Sequence, residues 1–125
     1  MPFDAMPRRE AKSRTVLVLE MMQFVFRRDG RKWAQHQLET PCGRFCLLGA
    51  LGFSKRALRI EDDRALECLA LAIRGSRRRR SARAMGKIVV SYNDAEARRF
   101  ADIAVVLQKA KEHAEADTRP CTTPT

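Results

Sequence analysis

Large aromatic side chains are scarce. One tryptophan, one tyrosine and six phenylalanines make up 6% of the 125 residues, so a core has to come mainly from Leu, Val, Ala, Ile and Met. Long apolar runs are also missing. The longest, TVLVLEMMQFVF at 15–26, contains Glu20 and Gln23 and falls short of the roughly 20 apolar residues that cross a bilayer. Membrane insertion is therefore not expected. The opening MPFDAMPRREAKSR has neither a continuous apolar segment nor a small-residue cleavage site, which argues against a secretory signal. The expected location is the cytoplasm, with reduced thiols. There is no Gly-rich strand-to-helix turn, no Gly-Lys-Ser/Thr and no dinucleotide fingerprint, so ATP and NAD chemistry lose their usual signatures and no cofactor is expected. No internal repeat is visible.

Paired metal-ligand spacings are missing too. Cys42 and Cys46 form one C-x3-C, and Cys68 and Cys121 stand alone. Structural zinc sites normally show two close pairs. Cys42, Cys46, Cys68 and His36 make four ligands on paper, but Cys68 sits at an apolar helical position and no metal site is expected.

What the chain does have is aliphatic residues and positive charge. Hydrophobic residues reach 45%, enough for one domain with its own core. The net charge is +10, unevenly spread. Residues 1–30 carry 6 basic and 4 acidic side chains (+2), residues 31–60 carry 6 and 1 (+5), residues 61–90 carry 8 and 4 (+4), and residues 91–125 carry 5 and 6 (−1). The basic middle attracts phosphate polyanions, acidic proteins or anionic membrane surfaces.

The pattern predicts an all-α fold, a compact bundle of about four helices. Residues 1–11, with Pro2 and Pro7, read as a flexible lead, 12–113 as a single helical domain, and 114–125 as a disordered tail. A first helix at 12–29 takes Ser13 as N-cap and ends at Gly30. It is mostly apolar, with a thin polar stripe at Glu20, Gln23 and Arg27. A connector at 30–44 holds Trp33. A second helix spans 45–58, and its Gly49 and Gly52, each costing about 1 kcal/mol against Ala, imply that another backbone packs there or that the helix bends near 52–54. A third spans 61–74, capped by Asp62 or Asp63 and stopped by Gly75. A basic loop follows at 74–87. KIVVSY at 87–92 reads as a short extended connector. Asn93 then caps the last helix, with Glu96 at N3 of a capping box.

Trp33, the Cys-Leu-Leu-Gly-Ala-Leu run from Cys46 to Leu51, Tyr92-Asn93-Asp94 and Phe100-Ala-Asp-Ile103 together resemble an uncharacterised bacterial and phage domain family. Its members carry a Trp, then Cys-x-x-Gly-Ala, then an aromatic-Asn-Asp before a closing helix. The resemblance covers about residues 15–112. Tyr92 stands where that family typically has Trp. The resemblance implies that Trp33, Cys46, Gly49, Ala50, Asn93 and Asp94 belong to one unit, and it implies no reaction.

Two groups of residues are candidates for chemistry. Cys46 opens a helix, where a thiol becomes a better nucleophile, and His36 with Asn93 or Asp94 would complete a Cys-His-Asn constellation. The order along the chain does not match a papain-like site and no catalytic signature surrounds the cysteine. The plainer expectation is a small buried Cys46, a capping Asn93, and a Trp33 whose indole N–H finds a carbonyl. The second group is Arg74, Arg77, Arg78, Arg79, Arg80, Arg83 and Lys87, seven cations among the fourteen residues of 74–87. Arginines grip phosphate bidentately, and the plainer role of such a run is a solvated loop. The expectation is a non-enzymatic binding protein, engaging nucleic acid or an acidic protein. A thiol-dependent enzyme using Cys46 and a structural or assembly protein built on the apolar first helix are the alternatives.

Overall fold

The computed structural model describes residues 12–117. They form five helices: α1 (Arg14–Phe26), α2 (Leu47–Leu58), α3 (Arg64–Arg74), α4 (Ala82–Asp94) and α5 (Phe100–Ala116). The all-α class stands, and the count rises from four to five. The core is aliphatic with one central phenylalanine: Leu19, Met22, Phe26, Leu47, Leu69, Val89, Ile103 and Leu107 are all but sealed from solvent. Helix α3 packs along α5, α1 lies against α2 and α5, and α4 closes over α3 and α2.

Ser13 caps α1, its hydroxyl accepting from the Val16 N–H at 3.1 Å. The helix ends at Phe26, earlier than the expected 29, because Arg27 turns to φ 68°. Its exposed edge is less polar than the sequence suggests, since Leu17 and Phe24 face outward. Gly30 has φ 72° in the following turn, and the Phe100 ring lies where its side chain would be; only glycine meets both conditions. At the middle of α1, Glu20 is clamped by Lys12 at 2.8 Å and Lys111 at 3.1 Å, and these bonds lower its carboxyl pKa.

Helix α2 starts at Leu47, with Cys46 as N-cap. It runs unbroken through Gly52, so the expected bend is absent. The close backbone approach is real at Gly49 alone: a Cβ there would overlap the carbonyl of Leu38, while at Gly52 it would meet only the tip of Arg56. Helix α3 begins at Arg64, whose N–H bonds Asp62 Oδ1 at 3.2 Å, and stops at Gly75 in the left-handed conformation, as expected.

The largest correction concerns residues 82–94. The expected extended connector is helix α4. Ser81 caps it by accepting from Ala84 N–H at 3.1 Å. Met85, Ile88 and Val89 are buried at helical spacing, and that burial overrides the β-leaning Ile-Val-Val run. The basic loop therefore shrinks to 75–81, and Arg83 and Lys87 are helical. Asn93 does not cap the last helix, because it lies inside α4. Helix α5 begins at Phe100, and Asp102 Oδ2 accepts from the Arg99 N–H at 3.0 Å. Arg98 finishes α4 instead, donating from Nε to the Tyr92 carbonyl at 2.7 Å with its guanidinium 3.6 Å from the Tyr92 ring centroid. Residues 114–116, expected in the tail, belong to α5; the lead 1–11 and the rest of the tail, 118–125, lie outside the described residues.

Candidate functional site

The connector between α1 and α2 crosses back over the chain. Ala34 N–H bonds the Phe45 carbonyl at 2.9 Å, Phe45 N–H the Lys32 carbonyl at 2.7 Å, and Cys46 N–H the Leu38 carbonyl at 3.3 Å. Three side chains, Asn93, Gln35 and Asp94, fasten this small loop to the end of α4. Asn93 is fully buried. Its Oδ1 accepts from Trp33 Nε1 at 2.7 Å and from the Leu47 N–H at 3.0 Å. Its Nδ2 donates to the Ala34 carbonyl at 3.1 Å and to Asp94 Oδ1 at 2.8 Å. A carboxamide offers two donors and two acceptor sites, and all four are used. Gln35 adds a second tie, from Nε2 to the carbonyls of Asn93 (3.0 Å) and Ala95 (3.1 Å). Asp94 Oδ1 also receives the His36 N–H at 2.8 Å, which holds His36 at φ 71°.

The thiol candidates thus gather at one junction without forming a reactive set. Cys46 is 4% exposed, and its Sγ accepts from the Gly49 N–H at 3.3 Å. Burial pushes its thiol pKa up, the nearby Asp94 carboxylate adds to the rise, and the helix N–H groups only partly oppose it. A nucleophilic cysteine needs the opposite shift. The His36 ring points outward, 71% exposed, with Nδ1 3.8 Å from Asp94 Oδ2. Among the described residues no hydrogen bond joins His36 to Cys46. Cys42 is exposed, and Cys46 and Cys68 are buried. Among the described residues no three or more His, Cys, Asp or Glu side chains are placed to hold a metal ion. In a Cys121→Ser background, iodoacetamide near neutral pH is expected to label Cys42 at least about 100-fold faster than Cys46. Peptide mapping of folded protein reads this directly, and prompt labelling of Cys46 would restore the thiol-enzyme reading.

The second candidate region lies at the far end of α3. Arg74 is the last residue of α3, Arg77, Arg78, Arg79 and Arg80 follow in the loop, and Arg83 and Lys87 stand one turn apart on α4. Arg74, Arg78, Arg79, Arg80 and Lys87 line a groove of 520 Å³. The loop braces itself: Arg78 N–H bonds Ser76 Oγ at 3.1 Å, and Arg80 Nη1 reaches the carbonyls of Ser76 (3.3 Å) and Arg78 (3.4 Å). Arg77, Arg78, Arg79 and Arg80 also line a neighbouring cavity, where Glu67 is the one acidic side chain among the lining residues. Arg74, Arg77, Arg78, Arg79, Arg83 and Lys87 are exposed and Arg80 is half-buried.

The Trp, Cys-x-x-Gly-Ala and Asn-Asp residues form one hydrogen-bonded unit, and the sequence from 17 to 113 matches DUF6197, a family of unknown function. The chain belongs to DUF6197. No curated protein and no solved structure matches it. No helix among the described residues is long and apolar enough to cross a membrane.

In this DUF6197 member, sequence reasoning found the right residues around Asn93 but assigned Asn93 the wrong work. It missed Gln35 and the Leu47 N–H altogether. Nothing local marks either one, because their partners lie 58 and 46 residues away along the chain.

Proposed function

We propose that this protein is a non-enzymatic nucleic-acid-binding protein of the bacterial or phage cytoplasm. Its contact surface consists of Arg74, Arg77, Arg78, Arg79, Arg80, Arg83 and Lys87. One observation carries the reading: seven cations collect around the α3–α4 turn and the start of α4, and a single acidic side chain, Glu67, is among the residues lining the cavities they form. Guanidinium forks and an ammonium arranged along a groove suit a phosphate backbone. No aromatic residue lines that groove, so stacking on bases contributes nothing there. Contacts of this kind position a backbone without reading sequence. The bacterial and phage setting implied by the motif combination fits a protein that handles nucleic acid.

The test is fluorescence anisotropy with labelled duplex and single-stranded oligonucleotides over a salt series. Each phosphate contact contributes about 0.9 to the slope of log affinity against log salt on duplex DNA. Changing Arg77, Arg78, Arg79 and Arg80 to Ala together is expected to weaken low-salt binding at least about tenfold and to flatten the slope by about 3. No binding at low salt, or an unchanged slope in the variant, would reduce the arginines to a solvated loop.

A further inference from the structure

On the opposite flank of α4 from the arginine groove lies a depression of different chemistry. Leu48 of α2 and Leu66 of α3 form one side of it, and Ala82, Gly86 and Val90 of α4 form the other, around a volume of 620 Å³. The three α4 residues recur every four positions, so they share one strip of the helix. Gly86 leaves that strip open at its middle: a Cβ there would touch nothing closer than a Leu48 methyl at 3.8 Å. Arg83 and Lys87 are exposed and stand along the rim. Lys87 and Ser91 line both the trough and the arginine groove, so one ridge of α4 separates an aliphatic channel from a cationic one.

We propose that this trough is the docking site for an acidic amphipathic helix of a partner protein. Such a helix presents Leu-like side chains along one stripe, with carboxylates flanking it. The stripe would fill the trough in the helix-in-groove manner, and the flanking carboxylates would meet Arg83 and Lys87. The match of an aliphatic channel to a cationic rim selects this occupant. A nucleic acid has no aliphatic face to bury, and its bases stack on aromatic rings, of which the trough lining has none. A lipid surface is engaged by apolar side chains that protrude into it, whereas here Leu66 is buried and Leu48 and Val90 are half-buried. The trough shares Arg83 and Lys87 with the proposed nucleic-acid surface, but its apolar lining of Leu48, Leu66, Ala82, Gly86 and Val90 is its own, and that lining carries the inference.

The probe is a fluorescein-labelled peptide of roughly 18 residues, made of Leu and Glu with Leu at helical i, i+3, i+4, i+7 spacing. The control peptide has the same composition with the register scrambled. The amphipathic peptide is expected to bind at least about tenfold more tightly than the scrambled one. Gly86→Leu, which fills the channel at a helical position and removes a glycine from the helix, should lower its affinity at least about tenfold without loss of fold. Arg83→Glu with Lys87→Glu, both at exposed positions, should lower it by a similar factor through charge reversal. The variant with Ala at 77, 78, 79 and 80 should retain peptide binding while its low-salt oligonucleotide binding weakens at least about tenfold, so the two proposals fail separately. Equal binding of both peptides would show attraction by charge alone. That result, wild-type affinity in Gly86→Leu, or no peptide binding at all would each overturn the docking site.

Discussion

Asn93→Ala is expected to remove about 3–5 kcal/mol of stability, a large share of what a domain of this size has. The truncation strands the Trp33 indole N–H, the Leu47 N–H and the Ala34 carbonyl, which Asn93 now satisfies at 2.7, 3.0 and 3.1 Å. Each buried polar group left without a partner costs about 1–3 kcal/mol. The sum is trimmed where water can follow, because the Trp33 side of the junction is only part-buried. Urea unfolding followed by circular dichroism measures it. Gln35→Ala is the internal comparison: it removes one tie whose donor is part-buried and should cost about 1 kcal/mol. A loss in Asn93→Ala no larger than that of Gln35→Ala would mean that the junction is not what holds the connector to α4. The folded fraction of Asn93→Ala should still bind oligonucleotide, since the arginines belong to another part of the surface.

Gly49→Ala is the second large effect, and its sign is the informative part. Alanine should favour a helix over glycine by about 1 kcal/mol, and at Gly52, where a Cβ meets only the mobile tip of Arg56 at 3.4 Å, that gain should be visible. At Gly49 the new methyl overlaps the Leu38 carbonyl, which is backbone and is itself bonded to the Cys46 N–H at 3.3 Å. Relief requires moving the connector off α2. Overpacking against such a fixed group costs about 1–3 kcal/mol or more, so the net expected loss is about 2 kcal/mol. Thermal unfolding of the two variants side by side is the measurement. A stabilised Gly49→Ala would mean that the connector does not press on α2 as described.

Where a feature depends on a few adjacent residues, the sequence carries it. Ser13 and Gly75 mark helix ends because capping and the left-handed conformation are local matters. Gly49 was legible because an unexplained glycine in a helix asks for a close neighbour. Trp33 was legible in kind, since a buried indole N–H needs an acceptor, although the acceptor is a side-chain amide. Helix α4 was hidden by two coincidences. Its cap, Ser81, ends a run of arginines, and its middle is Ile-Val-Val, which leans toward strand. Met85, Ile88, Val89 and Tyr92 did carry a helical spacing that a longer window would have caught. Asn93 illustrates the harder failure. Asn-x-x-Glu reads as a capping box, and nothing nearby contradicts it, because the partners that define its real role lie in another part of the chain. The trough beside Arg83 and Lys87 was illegible for the same reason: it exists only once α4 lies against Leu48 and Leu66.

The reach of Asn93 along the chain also governs when the domain becomes complete. Its bonds to Trp33, Ala34 and Leu47 span 60, 59 and 46 residues. Contacts of such separation incur their loop-closure entropy before any bond offsets it, and they form late. On the ribosome, a nascent chain that has delivered only α1, α2 and α3 can form the backbone bonds within its connector, but three backbone or indole groups wait for an amide not yet synthesised. A chain cut before residue 93 therefore lacks the amide that satisfies these three groups. The sole tryptophan sits at that closure, so its emission is the natural reporter of when Asn93 arrives.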